Sequence, residues 1–330
     1  MAVIANTFQS TSAKGNREQL SDVVNRIDPE DTPIYTMIGR EKAESTFPEW
    51  ETDALAAPAA NAQLEGDQYS FDATTAPTRL RNYTQILRRS GILSKTQEAI
   101  NNAGRVEQIK YQKLKTGVVL RKDVELAMLT NTASVGGATR LFGGLPSWIT
   151  SNVSRGATGA NGGYSTGTNL TVAATNGTQR AFTKTLLDGV MQSGYSNGAN
   201  FKYLSVSPYV KSVFVTFMSD SNVATFRYAV GDGKNNSIVA NADVYEGPFG
   251  KVTVVPNRVQ GLSAAVARNA YLIDPEYLKF MWLRPIKEDK TIAVNADANA
   301  YMLLGEGTLK VTNEKGLGVV ADVFGLTAAS

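Results

Sequence analysis

Apolar residues recur along this chain with two different periods, and the period changes several times. Between Arg17 and Ile27 the residues Leu20, Val23, Val24 and Ile27 form one stripe at helical spacing. Asn16 serves as N-cap and Glu18 lies in the first turn. Pro29 and Pro33 stop that helix and predict a stiff, extended exit. Around Phe47 and Trp50 the acidic residues Glu49, Glu51 and Asp53 alternate, which predicts a strand with its carboxylates on one face. Tyr83, Ile86, Leu87, Ile92 and Leu93 predict a returning strand. The longest helical signal runs from Ser94 to Asn131. It opens on a Ser94-x-x-Gln97 capping box, and Ala99, Ala103, Val106, Ile109, Leu114, Val118, Val124 and Met128 form its apolar stripe. A helix of that length would span roughly 55 Å, longer than a small domain needs, and reads as a strut.

Beyond it, residues 132 to 178 hold ten of the 29 glycines and predict a long excursion. Leu141, Phe142, Leu145, Trp148 and Ile149 would anchor it. A mixed helix and strand region follows. A helix is predicted over Ala181–Tyr195, a buried strand over Tyr203–Val206, and a helix from Pro208 through Met218 behind Ser207 as cap. Strands are predicted at Asn241–Tyr245, Lys251–Val255, Ala264–Ile273 and Leu278–Arg284. The tail, Ala300 to Val323, predicts two strands joined by the turn Asn313–Gly316. The fold class is α+β.

Charge sharpens this picture. From Glu44 to Asp72 there are seven acidic residues and no basic one; from Arg79 to Lys95 there are five basic residues and no acidic one. An arm that is acidic going out and basic coming back can zip to itself or to the same arm on a neighbouring copy. Glu49, Glu51, Asp53, Arg79, Arg81, Arg88 and Arg89 are therefore contact candidates, as is the sticky stripe Leu20, Val23, Val24 and Ile27. A net charge of +3 is too small to argue nucleic-acid recognition. The chain has no cysteine and no histidine, which removes disulfides, thiolate metal sites, Ser-His-Asp triads and the commonest general base. No apolar run approaches the roughly 18 residues of a membrane span.

The remaining chemistry is weak. A salt-bridged strand face is a simpler account of Glu49, Glu51 and Asp53 than a carboxylate catalyst or calcium site. Gly156–Gly163 lacks the Gly-Lys-Ser/Thr ending of a phosphate loop and reads as a flexible surface loop; Gly231–Lys234 reads as a turn. Trp50, Trp148 and Trp282 read as core or interface anchors. No catalytic residue, cofactor or metal is expected.

Several blocks resemble the SU10-like major capsid proteins of tailed bacteriophages, which share the HK97-type fold. They include Gly15-Asn16-Arg17-Glu18, Asp31-Thr32-Pro33, Glu49-Trp50-x-Thr52-Asp53 and Glu65-Gly66-Asp67. Arg79-Leu80-x-Asn82-Tyr83-Thr84-Gln85, Thr96-Gln97-Glu98-Ala99 and Gly143-Gly144-Leu145-x-x-Trp148 continue the series. Gly177–Phe182, Val254-Val255-Pro256-Asn257-Arg258 and Leu283-Arg284-Pro285 complete it in family order.

The resemblance implies an N-terminal arm over 1–43, an E-loop over 44–92, a P-domain with spine helix over 93–180, an A-domain over 181–286 and a return to the P-domain over 287–330. It implies a structural subunit that forms hexamers and pentamers of an icosahedral head around double-stranded DNA, located in the virion and assembled in the host cytoplasm. The family signature begins at Gly15 with no preceding scaffolding segment, which implies a separate scaffolding protein. Portal and decoration proteins would be further partners, with non-specific contact to packaged DNA and none to membrane. A non-viral shell of the same fold enclosing protein cargo is the alternative.

Overall fold

The computed structural model describes residues 28–66, 68, 71–100, 107–217, 243–292 and 296–323. The stripe Leu20, Val23, Val24 and Ile27 and the turn Gly231–Lys234 lie outside them.

Two sheets organise the chain. A four-stranded sheet has the order β1 (Gly39–Lys42), β12 (Leu278–Asp289), β13 (Ala298–Val311) and β4 (Gln85–Ser94). A six-stranded sheet has the order β5 (Val153–Ser154), β14 (Leu317–Val320), β11 (Ala270–Ile273), β8 (Tyr203–Val206), β10 (Gly250–Pro256) and β9 (Val244–Gly247). Its central strands are buried on both faces, as the unbroken apolar run Ala270-Tyr271-Leu272-Ile273 requires. Alternation sorts them between two cores. Tyr271, Ile273, Leu317 and Val319 join the core that also holds Val124, Met128, Phe142, Trp148, Phe280 and Leu309. Ala270, Leu272, Val320, Leu204 and Val206 face the other core, with Leu187, Val190, Val210 and Phe214. Those last four come from helices Lys184–Ser196 and Pro208–Phe217, close to their sequence expectations.

The spine is shorter than its sequence pattern. Ser94 Oγ does accept from Gln97 N at 3.4 Å, but the helix it caps, α2 (Lys95–Ala99), ends at an extended Ile100. The long helix, α3 (Gln108–Leu129), starts after an extended Glu107 and spans about 33 Å. Its stripe also differs. Leu120, Val124, Met128 and Leu129 are buried, whereas Leu114 is 75% exposed and Val118 is half-buried. The N-terminal half of α3 lies along the β4–β13 ribbon, where Thr116 Oγ1 meets Tyr301 Oη at 3.1 Å. Only the C-terminal half reaches the core.

Four further expectations change. Pro33 does not prolong an extended exit; it occupies the first turn of a short helix, α1 (Pro33–Met37), where its missing N–H costs nothing. The returning arm is two strands: β3 (Thr78–Arg81) pairs with β2 (Glu49–Thr52), and β4 leaves for the ribbon. The expected strand Ala264–Ile273 begins as a helical turn, α6 (Ala264–Ala267), in keeping with its alanines, and only Ala270–Ile273 is extended. The tail forms its two expected strands, β13 and β14, on either side of the expected turn, and they do not pair with each other. The turn at Glu314–Gly316 carries the chain from one sheet to the other, with Asn313 Oδ1 accepting from Lys315 N at 3.0 Å. Strand β12 also outruns its expected end at Arg284, passing Pro285 through register shifts between Trp282 and Lys287.

The glycine-rich excursion is packed rather than loose. Phe142, Leu145, Trp148 and Ile149 are at most 1% exposed. A Cβ on Gly144 would meet Thr130 O at 2.0 Å, and one on Gly156 would meet Thr178 O at 2.0 Å. Glycine is needed there because backbone passes against backbone, which overturns the flexible-loop reading of Gly156–Gly163.

Candidate assembly surfaces

The hairpin of β2 and β3 places the charged candidates. Its register opposes Glu49 to Arg81, Trp50 to Leu80 and Glu51 to Arg79. Period-two alternation turns Trp50 and Leu80 inward, where they are 8% and 7% exposed. Trp50 Nε1 donates to Val311 O at 2.8 Å, and its ring lies 5.8 Å from that of Trp148. The opposite face is an ion ladder within one subunit. Arg79 reaches Glu49 at 3.4 Å and Glu51 at 3.8 Å, and Arg81 reaches Glu49 at 3.3 Å. Arg81 also donates through Nε to Asn169 O at 3.0 Å and stacks over Phe47 at 4.7 Å. Glu49, Arg79, Arg81, Tyr164 and Asn169 line a small cleft.

The other charged candidates do not join the ladder. Asp53 is exposed and accepts from Ala54 N at 2.8 Å. Arg89 forms a two-pronged pair with Asp123 of α3, at 2.6 and 2.8 Å. Arg88 is exposed and has no ion partner among the described residues. Within the chain, the two legs of the arm thus pair through Glu49, Glu51, Arg79 and Arg81.

What holds the root of the arm was not visible as a charge pattern. Thr84 Oγ1 donates to Glu306 Oε1 at 2.8 Å, Arg140 Nη2 reaches the same oxygen at 2.6 Å, and Arg284 Nη2 reaches Oε2 at 2.8 Å. One buried carboxylate on β13 thereby ties together the chain after β3, the glycine-rich segment and β12. Burial by itself would raise the Glu306 carboxyl, but the bonds from Thr84, Arg284 and Arg140 outweigh it and hold it below its ordinary value of 4.5. A depressed carboxyl contributes stability that is complete above the unfolded value and lost as pH falls through the folded one. Thermal unfolding of Glu306→Gln subunits from pH 7 to pH 3 should therefore show a shallower acid decline than the native chain. Superimposable pH profiles would rule this out.

A second buried carboxylate, Glu125 of α3, accepts from Ile34 N at 3.1 Å, Tyr35 N at 2.8 Å and Asn257 Nδ2 at 2.6 Å. It joins the spine to α1 and to the loop after β10. Asn82 does similar work, accepting from Gly143 N and donating to Leu309 O, each at 2.8 Å. Asn82, Thr84, Gly143, Trp148 and Asn257 all belong to the sequence blocks quoted above. Their shared role is to join segments distant in sequence.

Between the hairpin legs, residues 53 to 77 are exposed wherever described, and Leu55, Leu64 and Phe71 are 100%, 77% and 97% exposed. The sequence signal for this surface was present, three large apolar residues in a small, polar stretch, but it was overshadowed by the charges. Among the described residues no helix is long and apolar enough to cross a membrane.

Similar proteins now bear on this architecture. The capsid asymmetric unit of cyanophage A-1(L) superposes with a TM-score of 0.62 at 11% identity, covering 96% of this chain and 98% of that one. The holo-SrpI encapsulin complex from Synechococcus elongatus gives 0.58 at 9% identity, covering 98% and 99%. Likeness at such identities carries the fold alone, the HK97-type capsid fold in its α+β form. In sequence, the major capsid protein of Escherichia phage Phieco32 is 34% identical over 128 residues, 38% of this chain. That stretch spans 36% of the relative's length. The profile of the SU10 major capsid protein family matches residues 4–324, and with nearly the whole sequence covered the chain belongs to that family.

Proposed function

We propose that copies of this capsid protein assemble as hexamers and pentamers of an icosahedral phage head enclosing double-stranded DNA. The observation that carries this reading is the exposed arm between β2 and β3. Large apolar side chains at Leu55, Leu64 and Phe71 lie in water in the single subunit, and a neighbouring copy is the partner that would cover them. In this reading residues 1–43 are the N-arm, 44–92 the E-loop, 93–180 the P-domain, 181–286 the A-domain and 287–330 the return. Strand β12 crosses the last of these boundaries. Glu51 and Arg79, 60% and 65% exposed, are with Asp53 and Arg88 the charges best placed to exchange partners with a neighbour. Glu49, Arg81 and Arg89 serve the fold of their own subunit. Leu20, Val23, Val24 and Ile27 would pack across a neighbouring copy.

The capsid would form in the host cytoplasm and persist in the virion, with a scaffolding protein, a portal and decoration proteins as partners and DNA inside. A shell enclosing protein cargo has the same fold, and the phage family match favours the head. Electron microscopy of the purified chain should show closed shells. A Leu55→Ser, Leu64→Ser, Phe71→Ser variant should keep its circular dichroism spectrum but sediment as free subunits. Normal shells from the variant would remove the arm from assembly, and a native chain that forms no shells even with a scaffolding protein supplied would sink the head-assembly reading.

A further inference from the structure

Three of the seven buried side-chain atoms that lack a hydrogen-bond partner among the described residues belong to the guanidiniums of one cluster, Arg155 Nη2, Arg180 Nε and Arg268 Nε, gathered around Asp322. The six-stranded sheet gathers these residues at one end. Val320 of β14 pairs with both Ser154 of β5 and Ala270 of β11, so Asp322, Arg155 and Arg268 leave the sheet side by side. Arg180 is brought in by its bridge to Val323.

Asp322 is the hub. It is fully buried and holds φ +63°, a region that residues other than glycine seldom occupy. Its backbone oxygen accepts from Arg180 N at 2.8 Å, its Oδ2 accepts from Gly156 N at 3.0 Å, and its Oδ1 lies 2.9 Å from Arg268 Nη2. The guanidiniums spend other donors on neutral oxygens. Arg180 Nη2 donates to Ser154 Oγ at 2.9 Å, Arg268 Nη2 to Gly177 O at 2.7 Å and Arg155 Nε to Asn161 Oδ1 at 3.2 Å. Arg268 pairs with the carboxylate directly, and the guanidiniums of Arg155 and Arg180 lie close enough to feel its charge, so three cations share one anion with an excess of two positive charges. Burial lowers the pKa of both Arg155 and Arg180, with Asp322 opposing it. Arginine does not shed its proton in proteins, so the excess charge calls for a counterion rather than a neutral side chain.

We propose that the Arg155, Arg180 and Arg268 cluster around Asp322 binds one small, doubly charged oxyanion of the phosphate or sulfate class. Such an ion matches the excess charge, and its oxygens accept from the guanidinium donors that protein atoms leave unused. The bound ion would fasten the glycine-rich segment, through Arg155 and Arg180, to the end of the sheet.

The test uses the full chain as unassembled subunits, so its result is independent of shell formation. Equilibrium dialysis with radiolabelled inorganic phosphate should find about one ion per chain. Thermal unfolding in millimolar phosphate or sulfate should rise by about 2–4 °C over chloride of equal ionic strength, and saturate. Exclusion of these salts from protein surfaces also stabilises, but without saturation. Arg155→Gln and Arg180→Gln should each weaken phosphate binding by roughly tenfold or more, while Arg88→Gln leaves it unchanged. If one of the two site variants fails to fold, the other still decides. Absence of bound phosphate on the native chain, or undiminished binding by a folded site variant, would overturn the site. Protection by a short DNA duplex but not by phosphate would also overturn it, as would protection that depends on subunit concentration alone.

Discussion

Glu125→Ala should cost the subunit roughly 3–9 kcal/mol, since it leaves three buried donors unpaired at about 1–3 kcal/mol each. Ile34 N, Tyr35 N and the Asn257 amide all converge on this one carboxylate, and no lysine or arginine among the described residues is bonded to it. Burial raises the Glu125 carboxyl above its ordinary value, and the bonds from Tyr35, Ile34 and Asn257 offset that only in part. A carboxyl raised on folding holds its proton more tightly in the folded chain. Its contribution to stability is therefore greatest at low pH and declines as pH rises from the unfolded toward the folded value. Glu125→Gln keeps an oxygen for Ile34 and Asn257 but turns an amide N–H toward Tyr35 N, so its loss should be intermediate. Denaturant midpoints at constant m-value give both numbers. A loss below about 1 kcal/mol for the alanine variant would show that water or a rearranged backbone replaces the carboxylate.

Glu125 also shows where the sequence stopped being legible. As one of two acidic residues in the helical pattern of α3, beside Asp123, it carries no mark of burial, because its three donors come from positions 34, 35 and 257. The same holds for Glu306, whose partners are residues 84, 140 and 284, and for Asp322. By contrast, local signals survived well. Ser207 and Pro208 opened their helix, Tyr203–Val206 formed its strand, and Ser94 capped a helix even though that helix proved short. Alternation at Glu49, Trp50 and Glu51 gave the correct faces of the hairpin. Charge segregation identified both legs of the arm but not the scale on which they pair, since a ladder closed within one subunit and one closed between two have the same sequence. Glycine content was misleading for a related reason: a residue needed for close backbone approach and one needed for flexibility are the same letter.

The reading of the spine stripe can be decided by one pair of variants. Both Val118 and Val124 fit the helical period, but the structure separates them: Val124 is fully buried and Val118 half-buried. An aspartate at 124 would enter the core beside Met128 and Phe142 with no cation to meet it, at a cost of several kcal/mol. Since whole domains are stable by only about 5–15 kcal/mol, Val124→Asp should yield little soluble, folded subunit. At position 118 the carboxylate can reach water, and the cost should stay near 1 kcal/mol. Leu120→Ala provides a graded comparison, since removing a fully buried leucine side chain costs about 2–5 kcal/mol without adding a charge. Soluble yield and thermal unfolding of the three variants should therefore rank Val118→Asp least affected, Leu120→Ala next and Val124→Asp worst. A Val118→Asp chain as damaged as Val124→Asp, measured on unassembled subunits, would mean that the N-terminal half of α3 is covered after all. The stripe read from the sequence would then describe the helix better than the structure does.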